Sequence, residues 1–340
     1  MRNILSDRAQ QPKGWRLIIA ACLSVLMLTP AMAVGQSVSS KTYPTKPVRI
    51  VVGFPAGGAA DVLARLLSEK LGAAYKQPFV VENRAGAGGT IGAATVARAE
   101  GDGYTLLMSV TASQTIAPSV YKQLPYDPTK DFTAVAMVAT IPVALVVNSG
   151  VAADDVQSLI RLARESSPPL AYGSSGVGAI PHLTSIRFQQ ANEGMELLHV
   201  PFKGSAPAIT ELLAGRVQMM FDHLPSSLQH VNSGKLKALA IAGNRRAEAL
   251  PNVPTLAEAG VEGVAVNSWF GLLAPAGVPT EIVQDLNEKV NALLAQDDVR
   301  QAIATIGAEP AAMSPIEFNE LIISDTRKWA DVVLDSNIEL

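Results

Sequence analysis

The stretch Val48 to Asp61, V-R-I-V-V-G-F-P-A-G-G-A-A-D, constrains the fold more than any other part of the 340-residue chain. Val48, Ile50, Val51 and Val52 form a short, β-branched apolar run of strand length. Gly53, Pro55, Gly57 and Gly58 then break it with residues that permit turns and close backbone approach. Asp61 opens an amphipathic segment with Val62, Leu63, Leu66, Leu67 and Leu71 on one face. A strand that passes through a glycine turn into a helix leaves the helix's first N–H groups without intrahelical partners, and the helix dipole adds positive potential there. The loop is therefore a candidate holder of a small anion, most simply a carboxylate. An ordinary βα connection also uses glycine, so the loop alone does not decide between the two.

The same pattern recurs downstream. Phe79 to Asn83 reads as a second strand, followed by the glycine-rich Arg84–Thr90 and a helix over Ile91 to Ala99. Tyr104 to Val110 is a third strand that ends in Thr111, Ala112 and Ser113. Three strand–loop–helix units in a row predict a parallel sheet with its loops gathered at the strands' carboxyl ends, the edge where open α/β sheets bind ligands. Val135–Val138 and Val143–Val147 are apolar runs split by Pro142, the expected crossover into a second α/β unit. Strands are expected there at Leu170–Gly173, Leu197–Phe202, Val217–Phe221 and Leu236–Ala242. Helices are expected near Val156–Arg164, from Pro181, and over Ala206–Leu213 and Pro225–Asn232. An apolar stretch at Trp269–Pro275 precedes long helices at Glu281–Leu294 and Ile316–Leu334. In the last of these, Phe318, Leu321, Ile322 and Trp329 are spaced as packing residues.

The amino terminus reads as a targeting segment. Arg2, Arg8, Lys13 and Arg16 form a basic region, Leu17–Thr29 an apolar one, and Ala31-Met32-Ala33 a cleavage site, so residues 1–33 are an expected signal peptide cut after Ala33. Two alternatives are a membrane anchor, for which the apolar run is short, and a lipoprotein through Ile19-Ala20-Ala21-Cys22, although the apolar run continues past Cys22. Residues 34–46 then form a tether. Residues 34–340 carry 23 basic and 29 acidic residues, and Cys22 is the only cysteine of the chain. An exported chain without cysteine is held by its core alone and has no thiol catalysis or cysteine metal site. No basic stripe with interleaved aromatics suggests nucleic acid.

The candidate site residues are mostly hydrogen-bond donors. Gly86-Ala87-Gly88-Gly89-Thr90-Ile91-Gly92 misses the dinucleotide fingerprint, which needs glycine in place of Ile91, and better suits a backbone anion nest. Tyr172-Gly173-Ser174-Ser175-Gly176-Val177-Gly178 is the second unit's counterpart of the opening loop. It lacks G-x-S-x-G and the P-loop lysine, so Ser174 and Ser175 are expected to donate to an oxyanion or to cap a helix. His182, His199, His223 and His230 lack metal spacing. His182, near a helix start, is placed to contact ligand, and the others read as surface or structural. Asp222, ending an apolar strand, could hold a ligand hydroxyl or amine or cap the next helix. Lys203-Gly204-Ser205 is placed to add donors to the same cleft. With no paired carboxylates, Ser/His/Asp set, metal cluster or cofactor motif, binding is favoured over catalysis.

The motifs F-P-A-G-G-A-A-D (54–61), V-V-E-N-R-A-G-A-G-G-T-I-G (80–92), D-G-Y-T-L-L (102–107), L-P-Y-D-P-T-K-D-F (124–132), Y-G-S-S-G-V-G (172–178), V-P-F-K-G (200–204) and W-F-G-L-L-A-P-A-G-V-P (269–279), in this order, resemble the solute-binding proteins of tripartite tricarboxylate transporters, the Bug or TctC family. The resemblance covers nearly the whole exported chain. It implies a two-lobed, type II-like periplasmic binding protein fold with a hinge of two crossovers. Lobe 1 would comprise 43–140 plus 244–340, and lobe 2 141–243. It also implies a periplasmic, monomeric, non-enzymatic binder of a small organic acid without cofactor or metal, serving membrane permease subunits. Carried over residue by residue, Phe54, Ala56, Gly57, Gly58 and Asp61 match the first loop, and Gly88 and Gly89 the second. Ser109 and Thr111 fall where the third strand's loop would meet ligand. Ser174, Gly178, His182 and Asp222 match second-lobe positions. The alternatives are a ligand sensor that presents its closed form to a receptor, and a small-molecule hydrolase.

Overall fold

The computed structural model describes residues 43–266 and 268–335. The expected signal peptide, Cys22 and most of the tether lie outside the described residues. The chain opens with β1 (Val48–Val52), α1 (Ala59–Tyr75), β2 (Phe79–Asn83), α2 (Thr90–Ala97), β3 (Thr105–Val110), the short α3 (Ala117–Val120) and β4 (Phe132–Thr140). It continues through β5 (Val143–Asn148), α4 (Val156–Glu165), β6 (Leu170–Ser174), α5 (Ile180–Gln190), β7 (Leu197–Pro201), α6 (Ser205–Leu213), β8 (Met219–His223), α7 (Leu224–Asn232) and β9 (Leu236–Ile241). It ends with β10 (Trp269–Pro275), α8 (Thr280–Leu294), α9 (Asp297–Thr305), β11 (Glu309–Pro310) and α10 (Pro315–Asp335).

Two sheets result, a six-stranded one in the order β11-β4-β10-β3-β1-β2 and a five-stranded one in the order β7-β6-β8-β5-β9. β1 is buried on both faces, which is why it reads as a continuous apolar run rather than an alternating one. Val48, Ile50 and Val52 enter the larger core with Leu63, Leu67 and Leu71 of α1, while Val51 enters the opposite core with Leu107, Met137 and Trp269. Each such side chain contributes about 1.5–3 kcal/mol by leaving water, so the strand is fixed in place before the loop that follows it begins.

The expectation of a parallel sheet holds for β2-β1-β3 and for β7-β6-β8. The whole of each sheet is mixed. β10 inserts antiparallel between β3 and β4, with Phe270 opposite Val110 and Trp269 opposite Thr140. β5 runs antiparallel to both β8 and β9. The cause is the way the chain passes between sheets. Ile141 and Pro142 carry it out of the first, and the segment after β9 returns it. The two passages lie side by side: Ile141 N–H donates to Ser268 O at 2.8 Å and Ala242 N–H to Val143 O at 2.8 Å. A chain that leaves and re-enters through adjacent passages brings β10 back against the direction of β3. In α10, Phe318, Ile322 and Trp329 are buried as expected. The helix α9 and the strand β11 go beyond the sequence expectation. Among the described residues, no helix is long and apolar enough to cross a membrane.

Candidate functional site

The carboxyl ends of β1, β3, β6 and β8 face one cavity. Its walls are Phe54, Gly58, Ala59, Ala60, Val110 and Ala112 from the first sheet's loops, and Ser175, Ala179, Ile180, Ser205 and His223 from the second's; Ser268 and Phe270 close it at the passage between sheets. No lysine, arginine, aspartate or glutamate is among these lining residues. Helix N-termini take the place of charged side chains. The N-caps of α1, α5 and α6 are Gly58, Ala179 and Gly204, none with a side-chain cap, as is also true of α8 and α9 away from the cavity, while α4 carries a full Asp155/Ser158 capping box. Uncapped first-turn N–H groups beside a cavity without charged side chains are candidate anion donors. The two sets of loops touch. A Cβ added to Gly204, held at φ +140°, would lie 2.6 Å from Pro55 Cδ, and one added to Gly176 would lie 3.9 Å from Gly88 Cα.

On the first-sheet side the shape of the loop is held from behind. Asp61 is buried, and its carboxylate accepts from Gly57 N–H (2.9 Å), Arg65 Nε (2.9 Å) and Asn83 Nδ2 (2.9 Å). Asn83 also donates to Phe54 O at 2.9 Å, tying the end of β2 to the loop after β1. Burial opposes the charge on Asp61, but the bonds from Arg65, Gly57 and Asn83 outweigh it and hold the pKa below the usual value. Gly89 packs under the Phe54 ring, since a Cβ there would meet Phe54 Cε2 at 2.9 Å.

The second-sheet side rests on a stack of three rings. Tyr172 stacks on His199 (centroids 4.8 Å) and His199 on His182 (4.1 Å). His199 Nε2 and Ser174 Oγ are 2.7 Å apart, and Gly178 N–H donates to His182 Nδ1 at 3.2 Å. Burial and then the neighbouring His199 ring push His182 down to about 3, and burial pushes His199 down to about 4. Both rings are therefore neutral at neutral pH, as an Nδ1 that accepts an N–H requires. Asp222 is fully buried; Ser205 Oγ donates to its Oδ1 (2.6 Å) and Ser226 Oγ to its Oδ2 (2.9 Å). Burial raises it to about 6 despite those bonds. Beside it, His223 Nε2 and Ser268 Oγ lie 2.9 Å apart, one from each sheet, and burial lowers His223 to about 4.

The sequence-expected residues thus fall into three groups. Phe54 and Gly58 line the cavity. Ala56, Gly57, Asp61, Gly88, Gly89, Gly178 and His182 shape the loops around it without lining it. Ser109, Thr111, Ser174 and Asp222 are fully buried and face protein groups: Ser109 lies 3.5 Å from Gln114 Oε1, Thr111 bonds the Trp269 backbone, and Ser174 turns to His199. Of the paired serines it is Ser175 that reaches the cavity. Sequence reasoning misses His223, Ser268 and Phe270. The signal for His223 is its place at the end of an unbroken apolar strand, M-M-F-D-H, all five residues of which are buried. Ser268 carries no local signal. A wider groove behind the two passages is lined by Thr140, Arg245, Glu309 and Asp325 among others, but its charges are engaged with partners: Arg245 pairs with Glu309, and Asp325 accepts from Trp269 Nε1 at 2.8 Å. Among the described residues no cluster of three or more His, Cys, Asp or Glu could hold a metal.

Known proteins share this architecture. Residues 62–338 match the model of the family described as "Tripartite tricarboxylate transporter family receptor". BugT of Bordetella pertussis is 35% identical over 323 residues, covering 95% of this chain and 98% of its own. Among solved structures, an R. palustris protein with adipate is 38% identical with a TM-score of 0.85, covering 88% of this chain and 100% of its own. The periplasmic binding protein BugD is 32% identical with a TM-score of 0.84, over 88% and 100%. MatC of Rhodopseudomonas palustris, with bound malate, is 33% identical with a TM-score of 0.80, over 86% and 100%. The two-sheet fold with its double passage is that of periplasmic solute-binding proteins, and the chain belongs to the tripartite tricarboxylate transporter receptor family.

Proposed function

We propose that the protein is a periplasmic solute receptor that captures a small carboxylate in the cavity between its two sheets and presents its closed form to membrane permease subunits. The observation that carries this reading is the set of uncapped helix N-termini, at Gly58 above all, around a cavity without a charged side chain. Such a site recognises an anion by its lone pairs and releases it without breaking an ion pair. The R. palustris and MatC structures, with adipate and malate respectively, are consistent with it. The lobes correspond to 43–140 plus 244–340 and 141–243, closing by rotation about the paired passages. The chain acts as a monomer, after export and removal of residues 1–33.

A hydrolase would have to use Ser268 with His223, or the fully buried Ser174 with His199. The reading as a binder is preferred because a histidine held near 4 is a weak base at neutral pH, and the nearby carboxylate, Asp222, is engaged by Ser205 and Ser226. Mass spectrometry of ligand released from the purified protein, followed by thermal-shift screening of mono-, di- and tricarboxylates, tests the function. At least one acid should raise the melting temperature, as linkage requires. Stabilisation by uncharged compounds alone would refute it, and turnover of a bound ester would refute the non-enzymatic reading.

A further inference from the structure

The motif L-P-Y-D-P-T-K-D-F (124–132) does not line the cavity, yet two of its residues are bonded to the back of one cavity wall. That wall is the segment after β3. Val110 and Ala112 line the cavity, and Ala112–Ile116 form a single π-helical turn before α3. In this register the Ala117 N–H bonds Ala112 O, five residues back. The next donor in the ladder would serve Ser113 O, but it belongs to Pro118, which has no N–H. Ser113 is buried, and its carbonyl is satisfied from outside the helix: the Tyr126 hydroxyl donates to it. Burial raises Tyr126 above the ordinary phenol range, so the hydroxyl keeps its proton.

The turn that carries Tyr126 is held by its own bonds. The Asp127 carboxylate accepts from Thr129 N–H (2.9 Å), Thr129 Oγ1 (2.7 Å) and Lys130 Nζ (2.8 Å), and Asp127 N–H donates to Asp131 Oδ2 at 2.7 Å. The Tyr126 ring packs edge to face on Phe132, with centroids 5.6 Å apart. Pro128 O accepts from Gln114 Nε2 at 2.8 Å, a second tie between this turn and the π turn.

The Ala117 N–H has two acceptors open to it: Ala112 O in the π register, and Ser113 O, four residues back, in an α register. An α register would leave one residue surplus. Absorbing it would move Ala112 out of the cavity wall or Ser113 away from the second glycine loop, where a Cβ on Gly89 would lie 3.4 Å from Ser113 Cβ. We infer that Tyr126 is a positioning residue for solute binding. By occupying Ser113 O it selects the π register, and that register fixes the wall made by Val110 and Ala112 and the seat of Gly89 beneath the Phe54 ring. The inference rests on the reading of this cavity as the solute site.

Tyr126→Phe keeps the ring against Phe132 and removes the hydroxyl. Tyr43→Phe is the matched control. Tyr43 is as buried as Tyr126, each at 6% exposure, and its hydroxyl donates to Gly103 O at 2.6 Å, at the opposite, amino edge of the first sheet. Both variants take one donor from a buried main-chain carbonyl, so both should melt lower than the wild type. Only Tyr126→Phe should weaken binding, by about tenfold, in calorimetric titration of ligand-stripped protein with adipate and with malate. Adding Pro118→Ala to Tyr126→Phe returns an N–H to the place where the π register needs one, and should bring the Kd back to within about twofold of the wild type. A crystal structure of Tyr126→Phe should show the Ala117 N–H on Ser113 O and Ala112 displaced. An unchanged turn overturns the inference whatever the titrations give. Retained affinity in Tyr126→Phe, equal losses in the two tyrosine variants, or no rescue by Pro118→Ala also overturns it. If neither acid binds the wild type, that result counts against the carboxylate reading, and the crystal structure of the variant decides the inference by itself.

Discussion

Gly204→Ala probes closure directly. Gly204 precedes α6 at φ +140°, ψ 174°, and a Cβ there would meet the Pro55 ring of the loop after β1. Two costs follow from one methyl group. The backbone conformation belongs to a region essentially reserved for glycine, at roughly 1–3 kcal/mol. This cost is the same whether the cavity is open or closed, so it lowers stability and leaves affinity alone. The second cost exists only when the loops meet: the new Cβ would lie 2.6 Å from Pro55 Cδ and 3.3 Å from Cγ, and a proline ring cannot swing aside. Restoring contact to about 3.5–4.0 Å means parting the loops by roughly an ångström, which withdraws the second-sheet side from the ligand.

The expected result is a Kd at least about tenfold weaker, which is about 1.4 kcal/mol, together with a lower melting temperature. Gly215→Ala supplies the control. It has φ +72° and nothing within 4 Å of an added Cβ, so it takes a backbone penalty without the contact. It should lower the melting temperature and leave the Kd unchanged. Calorimetric titration of both variants with the same acid separates the two costs. If Gly204→Ala binds within twofold of the wild type, or if both variants weaken binding equally, the loops do not close on the ligand as argued.

Gly58→Val should abolish binding and preserve the fold, because Gly58 has ordinary extended dihedrals, and an added Cβ would find only Pro55 O at 3.6 Å while its methyls enter the cavity; retained affinity in titration would count against the loop's role. Asp61→Ala removes the acceptor of three hydrogen bonds in a buried position. It should cost about 2–3 kcal/mol in urea unfolding and weaken binding as the Gly57 turn loosens. For pH, His182 at about 3, and His199 and His223 at about 4, lie below their unfolded value. Their unfolded forms take up protons first, so stability is lost as pH falls from about 6.5 toward 4, by up to about 1.4 kcal/mol per pH unit for each ring. Asp222, raised to about 6, acts in the opposite sense, its contribution declining as pH rises from about 4 to 6. Melts of wild type and Asp222→Asn should therefore diverge between about pH 4 and 6 and run parallel above that; curves that stay parallel across pH 4–6 would show that the carboxyl does not titrate there.

How much of this was legible in the sequence depends on how far apart the cooperating residues are. β1 and β2 have the expected ends, and the apolar stretch expected at Trp269–Pro275 is strand β10, because each is a short apolar run bounded by glycine, proline or asparagine, a wholly local signal. The first loop's role is local too, since the glycines and the helix start lie within a few residues of each other. The mixed sheets were not legible, because the pairing partners of β10 lie far back in the chain and nothing in Trp269–Pro275 specifies its direction. The site divides along the same line. The donors we propose for it are backbone amides, and glycine spacing announces them. The burial of Asp222 depends on partners brought in by the fold, such as Ser205, 17 residues away, which donates to one of its oxygens. The His223–Ser268 contact spans 45 residues and is made only because the two passages between sheets run side by side. A chain can therefore display its means of holding a carboxylate in a single motif. The rest of the cavity wall is assembled by the fold, from residues that look ordinary where they stand in the sequence.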